Sequence, residues 1–177
     1  VADKQGTVVS YTFTIESTGG NAIVVPGWGF LLNNELTDFN YDNPTHPNAP
    51  AGGKRPRSSI APTYVERDGR PFLAVGSPGG ATIITTVLQI LTERIDFGRT
   101  LPQAIADPRA SQRNPAATAT NPNSPTAPEQ AFLDRYKTAL EAKGHTFSAA
   151  AEIGAATGIE FLPGGRMLAA AEPVRRG

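Results

Sequence analysis

The spacing of apolar residues predicts strands in the first half of the chain and again near its end. Residues 7–15 place Val9, Tyr11, Phe13 and Ile15 on one face and mostly hydroxyl-bearing side chains on the other, as in a half-buried strand. Two apolar runs, 63–67 and 70–75, flank Asp68-Gly69, a strong signal for a tight hairpin. Further strands are predicted at 22–25, 30–32, 158–162 and 166–171.

Between these strands, a period of three to four residues predicts three helices. The first runs over 81–94 and stops before Gly98, and its many apolar residues indicate that it packs against a sheet. The second covers 100–107, with Thr100 as its cap and Pro102 in its first turn. The third covers 128–143 and is closed by Gly144. Strands, helices and strands in this order predict a layered α+β domain.

Composition limits the partners of the chain. With 177 residues, we expect a single domain over 1–177, with mobile proline- and glycine-rich loops at about 40–54 and 114–128. The 16 basic and 16 acidic residues balance, which argues against nucleic acid or an anionic membrane as partner. No apolar run reaches the ~18 residues of a membrane span. Cysteine is absent and His46 and His145 lie far apart, so no metal site is expected.

The segment Gly76-Ser77-Pro78-Gly79-Gly80 joins an apolar strand pattern to the first helix. Backbone N–H groups at such a turn can hold an anion or a developing oxyanion. The alternative is a turn that only lets the strand pack closely on the helix. Nucleotide binding is disfavoured because no Lys-Ser/Thr pair follows Gly80.

Two further clusters carry candidate binding groups. Glu35 and Asp38 are three residues apart and follow two asparagines, which would suit a substrate ammonium or, alternatively, the cap of a turn. The basic loop 53–59 ends in Ser58 and Ser59, which would suit a carboxylate or, alternatively, form a solvated charged loop.

Most of the chain resembles the small subunit of the γ-glutamyltranspeptidase family. The resemblance lies in the order and spacing of six segments: 3–6, 12–16, 29–39, 54–63, 76–84 and 107–109. The resemblance implies a bacterial N-terminal nucleophile hydrolase, a four-layer αββα sandwich completed by a large subunit cut from the same precursor. The nucleophile is then a threonine exposed by self-cleavage, whose own α-amine can act as general base. It is expected about five residues upstream of Val1, so the chain as given would lack it.

The resemblance also implies roles for individual residues. Gly79 and Gly80 would supply the oxyanion-hole N–H groups, and Thr14 would hydrogen-bond the nucleophile. A γ-glutamyl substrate would be held by its α-carboxylate on two serines, with help from an arginine of the large subunit, and by its α-ammonium on three acids. These binding residues are Ser58, Ser59, Glu16, Glu35 and Asp38. Glu16 stands where many members carry asparagine.

The implied activity is γ-glutamyl transfer from glutathione or a related compound to water or an amino acid, through a γ-glutamyl-enzyme and without a cofactor. One alternative is a glutaryl- or cephalosporin-type acylase of the same fold. Its substrate has no α-ammonium, so the three acids would face no positive charge, which argues against this activity. The short loop between Phe39 and Lys54 suggests an open site that could admit larger substrates. A γ-glutamyl polymer hydrolase is therefore another alternative. A non-catalytic binding module is the alternative outside the enzymes. The resemblance further suggests a periplasmic or secreted protein.

Overall fold

The computed structural model describes residues 1–113 and 125–173. The chain divides into two compact units, one formed by Val1–Thr12 with Ile60–Gly177 and the other by Phe13–Ser59. Most of the predicted loop 114–128 lies outside the described residues. That 1–177 is a single domain and that the two loops are mobile therefore stay predictions.

The larger unit is built on an antiparallel sheet. Its strands, in chain order, are β1 (Thr63–Arg67), β2 (Arg70–Gly76), the short pair β3 (Ala110–Ser111) and β4 (Ala127–Pro128), then β5 (Thr157–Leu162) and β6 (Arg166–Ala171). The main sheet has the order β1-β2-β5-β6, and β3 pairs separately with β4. Asp68 and Gly69 have positive φ values of 53° and 70°, which confirms the predicted hairpin turn.

Three helices belong to the same unit: α1 (Ile83–Ile95), α2 (Leu101–Ala106) and α3 (Gln130–Glu141). Thr100 caps α2 as predicted, since its Oγ1 accepts the Gln103 N–H while Gln103 Oε1 accepts the Thr100 N–H. The third helix begins later than predicted because Pro128 belongs to β4.

The core lies where α1 packs on β2 and where α2 packs on β5 and β6. Leu73, Ile90, Leu101, Ile105 and Ala156 are fully buried there. One face of α1 is thus packed as predicted. Another face of the helix carries the side chains Ile84, Leu88 and Ile95, which are exposed among the described residues.

The strand predicted at 7–15 is wrong. Only Val8 pairs, in an isolated antiparallel bridge with Ala2, and the apolar side chains Tyr11 and Phe13 are 66% and 89% exposed. A strand needs a neighbour for its backbone groups, and among the described residues only 1–3 provide one, at the start of this segment. The predicted strands 22–25 and 30–32 reduce to one bridge between Val24 and Leu31.

A close contact joins the loop before β5 to the turn after β2. Gly154 has a φ of +69°, and a Cβ there would lie 2.6 Å from Ser77 Oγ and 3.0 Å from Thr86 Cγ2. The neighbouring Ala155 N–H donates to Ser77 Oγ at 3.1 Å. The backbone of the loop therefore packs directly against the side chains of Ser77 and Thr86, and only glycine fits at position 154.

Within the described ranges, the structure contains no helix with the length and apolar character that crossing a membrane requires.

We expect Gly154→Ala to destabilise the complete protein more than Gly164→Ala does. Both glycines have similar φ values, +69° and +77°, but nothing lies within 4 Å of a Cβ at Gly164. The φ strain, about 1–2 kcal/mol, is shared, and overpacking at Gly154 adds about 1–3 kcal/mol. Equilibrium denaturation measures both variants. Equal losses of unfolding free energy would show that the Gly154 contact carries no constraint.

Candidate active site

The glycine-rich turn adopts a conformation that requires glycine. Gly79 has a φ of +138° and Gly80 a φ of +51°, directly before the N-terminus of α1. A Cβ on Gly79 would lie 2.9 Å from Thr82 Oγ1 and 3.3 Å from Gly154 Cα, whereas one on Gly80 would meet nothing within 4 Å. Close packing therefore explains Gly79 in part but not Gly80.

Side-chain hydroxyls hold this turn. Ser77 Oγ donates to the Pro78 carbonyl oxygen at 2.6 Å, and Thr82 Oγ1 donates to the Gly79 carbonyl oxygen at 2.9 Å. Neither hydroxyl was assigned a role from the sequence. Serine and threonine are common in turns, so no local signal distinguishes them.

In the smaller unit, Glu16 is the centre of a hydrogen-bonded cluster. Its carboxylate accepts from Ser17 Oγ, and Thr37 Oγ1 shares its proton between Glu16 at 3.4 Å and the Asn34 carbonyl oxygen at 2.9 Å. The hydrogen bond from Ser17 is the main reason that the pKa of Glu16 lies below its ordinary value. The predicted nucleophile partner, Thr14, is adjacent: its Oγ1 accepts the Glu16 N–H at 3.0 Å.

Asn34 connects this cluster to the following turn and was missed as an individual residue. Its Nδ2 donates to Ser17 Oγ and to Thr37 Oγ1, both at 3.2 Å, and its Oδ1 accepts the Ser17 N–H at 3.0 Å. Asn34 thereby fixes the groups that hold the Glu16 carboxylate. The pair of asparagines before Glu35 was the available signal.

Glu35 and Asp38 are the two ends of one 3-10 turn, Glu35–Asp38. Side chains three residues apart are eclipsed in a 3-10 helix, so both carboxylates lie on one face, as the binding hypothesis requires. The alternative capping role belongs to Asn33, whose Oδ1 accepts the Glu35 N–H at 3.0 Å.

Asp38 also lines an open cavity of about 200 Å³. Carboxylates and a guanidinium face it together, and its lining residues are Asp38, Phe39, Asn40, Tyr41, Asp42, Asn48 and Arg57. Arg57 Nη2 is 4.0 Å from Asp38 Oδ1, and both side chains keep solvent contact, so this ion pair is weak and can be displaced by a ligand. Two negative groups and one positive group suit a zwitterionic amino acid.

The basic loop has a partly structural role. Lys54 Nζ donates to the carbonyl oxygens of Pro47 and Ala49 at 2.6 and 2.8 Å, so it closes the loop over 40–54. Arg57 is the basic residue of this loop that reaches the cavity. Ser58 is exposed and Ser59 half-buried at the end of the same unit.

The candidate residues thus fall into two sets. Six of them lie in the unit Phe13–Ser59: Thr14, Glu16, Glu35, Asp38, Ser58 and Ser59. Gly79 and Gly80 lie in the larger unit. Among residues 1–113 and 125–173, the histidines and acidic residues form no group of three or more that could hold a metal ion.

A buried charge network in the larger unit was also missed. Arg109, 1% exposed, donates from Nη1 to the Ile153 carbonyl oxygen at 2.9 Å and from Nη2 to Glu172 at 2.8 Å. Glu129 accepts the Arg109 and Ile153 N–H groups at 2.8 and 3.1 Å. The network fixes the loop that contacts Ser77. The family resemblance had marked Arg109 through the segment 107–109, whereas Glu172 was assigned no role from the sequence.

Comparison with known proteins identifies relatives of this chain. The chain is 51% identical over 109 residues to the glutathione hydrolase proenzyme of Bacillus subtilis (strain 168), and 36% identical over 183 residues to that of Escherichia coli (strain K12). These matches cover 62% and 98% of the chain but only 18% and 30% of the relatives. The chain therefore spans less than a third of the length of these curated relatives.

An acylase lies in the same range of similarity. The Acylase ACY 1 proenzyme of Pseudomonas sp. (strain SE83) is 32% identical over 173 residues, covering 97% of the chain and 29% of that protein. Sequence identity alone therefore does not distinguish the γ-glutamyl activity from the acylase activity, and the residues of the site must do so.

The fold matches a solved γ-glutamyltranspeptidase from Pseudomonas nitroreducens, a highly active W525D mutant, with a TM-score of 0.84 and 31% identity over all of this chain and 94% of that one. The predicted α+β fold of N-terminal nucleophile hydrolase type is confirmed. The family model described as "Gamma-glutamyltranspeptidase" matches residues 1–177. The chain belongs to the γ-glutamyltranspeptidase family.

Proposed function

We propose that this chain is the small subunit of an enzyme that transfers or hydrolyses γ-glutamyl groups, with glutathione as the representative donor. The observation that carries the proposal is the cavity in the unit Phe13–Ser59, where Asp38 and Asp42 face Arg57. An amino acid head group presents one ammonium and one carboxylate, and this lining offers charges complementary to both.

In the proposed complex, Asp38, Glu35 and Glu16 hold the α-ammonium of the donor. Glu35 and Asp38 share one face of their turn, and the hydrogen bond from Ser17 favours the ionised form of Glu16. The α-carboxylate is held by the hydroxyls of Ser58 and Ser59, with an arginine of the large subunit. Charged partners of this kind fix the γ-carbonyl in one place, as a chemical step requires.

The chemical step uses a threonine upstream of Val1, which the sequence resemblance places there. Its hydroxyl attacks the γ-carbonyl carbon while its α-amine takes the proton. The amine then gives this proton to the nitrogen of cysteinylglycine, which leaves as the C–N bond breaks and the acyl-enzyme forms. The N–H groups of Gly79 and Gly80 stabilise the oxyanion, and Thr14 hydrogen-bonds the nucleophile. Water or an amino acid then attacks the acyl-enzyme, which transfers the γ-glutamyl group and frees the threonine.

The proposed partner is a large subunit cut from the same precursor, which completes the four-layer sandwich. Exposed apolar side chains in each unit support this, since contiguous apolar surface on a protein is normally covered. In the larger unit these are Ile84, Leu88 and Ile95 on α1, and in the smaller unit they include Phe13, Trp28 and Phe30. The proposal also includes export to the periplasm or the medium, on the family resemblance.

A second candidate is an acylase acting on glutaryl-type side chains, favoured by the similarity to the Acylase ACY 1 proenzyme. Such a substrate has no α-ammonium, so Glu16, Glu35 and Asp38 would face no positive charge and would repel its carboxylate. The acidic cluster therefore favours the γ-glutamyl substrate.

We expect Asp38→Asn to raise KM for a γ-glutamyl anilide by about 10- to 100-fold in the complete protein, because a charged hydrogen bond of about 1.5–3 kcal/mol is weakened. Hydrolysis of the matching glutaryl anilide, which lacks the ammonium, should not fall. Chromogenic assays with both substrates measure the effect, and Asp96→Asn, an exposed aspartate at the end of α1, is the control. Equal losses on both substrates, or none on either, would refute the ammonium site.

Intact mass spectrometry of the complete protein should reveal two chains, one of them beginning with threonine a few residues before the Val1 of this sequence. Replacing that threonine with alanine should leave a single uncut chain, because the hydroxyl that cleaves the backbone is gone. An uncut wild-type protein that still hydrolyses the anilide would rule out an N-terminal threonine nucleophile. An uncut and inactive one would favour a binding module.

A further inference from the structure

We propose that Ser77 and Thr82 are positioning residues, which aim the two peptide N–H groups that stabilise the oxyanion. The inference rests on the proposed function, since it takes Gly79 and Gly80 as the oxyanion donors. It adds two side chains that touch neither substrate nor nucleophile and act only through the backbone of the turn.

Ser77 fixes the peptide between Pro78 and Gly79. Its Oγ donates to the Pro78 carbonyl oxygen at 2.6 Å. In a planar trans peptide the carbonyl and the N–H point in opposite directions, so a hydroxyl that holds the oxygen of Pro78 also sets the direction of the Gly79 N–H.

Thr82 does the same for the next peptide. Its Oγ1 donates to the Gly79 carbonyl oxygen at 2.9 Å, and its backbone N–H donates to the same oxygen at 3.0 Å. That peptide carries the Gly80 N–H on its opposite side. Each of the two proposed donors thus belongs to a peptide whose carbonyl is held by a side-chain hydroxyl.

The need for such restraint follows from glycine itself. Gly79 and Gly80 have positive φ values, and glycine has the widest choice of backbone conformations of all residues. A rotated peptide would present its carbonyl oxygen, rather than its N–H, toward the oxyanion. Hydrogen bonding at the carbonyl also polarises the N–H of the same peptide, which strengthens it as a donor.

The Ser77 hydroxyl is itself anchored from outside the turn. It accepts the Ala155 N–H at 3.1 Å while it donates to Pro78, so both its hydrogen-bonding roles are used. Ala155 follows the loop residue Ile153, whose backbone groups are bonded by Glu129 and Arg109. The buried network therefore supplies a fixed reference for the orientation of the Gly79 peptide.

Thr82 offers the cleaner test because it is only half-buried and valine has the same shape without the hydroxyl. In the complete protein, we expect Thr82→Val to lower kcat on a γ-glutamyl anilide by about tenfold, part of the 10²- to 10³-fold that losing an oxyanion donor costs. KM should change little, and Thr82→Ser should restore kcat. Rates are expressed per processed chain, so that an effect on self-cleavage is counted separately.

Thr92→Val is the matched control, since Thr92 lies on α1, which Thr82 precedes as its N-cap, and the Thr92 hydroxyl donates to the Leu88 carbonyl oxygen at 3.0 Å. A γ-boronate analogue of glutamate gives a second readout, because its tetrahedral adduct places an oxygen at the oxyanion position. Thr82→Val should weaken binding of the boronate by about the same factor as it lowers kcat, and it should leave inhibition by glutamate unchanged. Ser77→Ala, if folded, should behave in the same way.

The outcomes separate the inference from the proposed function. If Thr82→Val matches Thr92→Val in kcat and in boronate affinity, the positioning role is wrong and the activity stands. A loss confined to KM, or one that Thr82→Ser fails to restore, also overturns it. If the unmodified protein does not hydrolyse the γ-glutamyl anilide, the proposed function fails and the inference fails with it.

Discussion

The arrangement of the larger unit depends on one buried guanidinium. Arg109 is almost completely removed from water, and a buried charge is tolerated only when it is paired and hydrogen-bonded. Glu172 supplies the charge, while the carbonyl oxygens of Ile105 and Ile153 accept from the same side chain. Because these partners come from α2, from the loop before β5 and from the residue after β6, the guanidinium fixes three distant parts of the chain at once.

This constraint extends to the glycine turn. The loop held by Arg109 and Glu129 contains Gly154, which lacks the side chain that would collide with Ser77, and Ala155, which donates to the Ser77 hydroxyl. The strand β2 and the helix α1 on either side of the turn are packed in the core. A turn of inherently flexible glycines is therefore held from both ends and from one side, as a preorganised oxyanion site requires.

The smaller unit is stabilised differently, by hydrogen bonds between polar groups more than by an apolar core. Asn34 bonds Ser17 and Thr37, both of which donate to Glu16, and Lys54 closes the loop 40–54 through two carbonyl oxygens. Such networks leave carboxylates ionised and exposed, which suits binding a charged ligand. They stabilise a chain less than apolar burial does, which agrees with the bridges found here in place of the predicted strands.

Local chemistry was enough to predict the Asp68-Gly69 hairpin, the cap of α2 at Thr100 and the helix after Gly80. Each depends on residues within a few positions of one another. The strand at 7–15 failed because a strand also needs a neighbour, which no local pattern supplies. The pairing of Arg109 with Glu172 and of Ser77 with Ala155 spans 63 and 78 residues, so only tertiary packing could decide it.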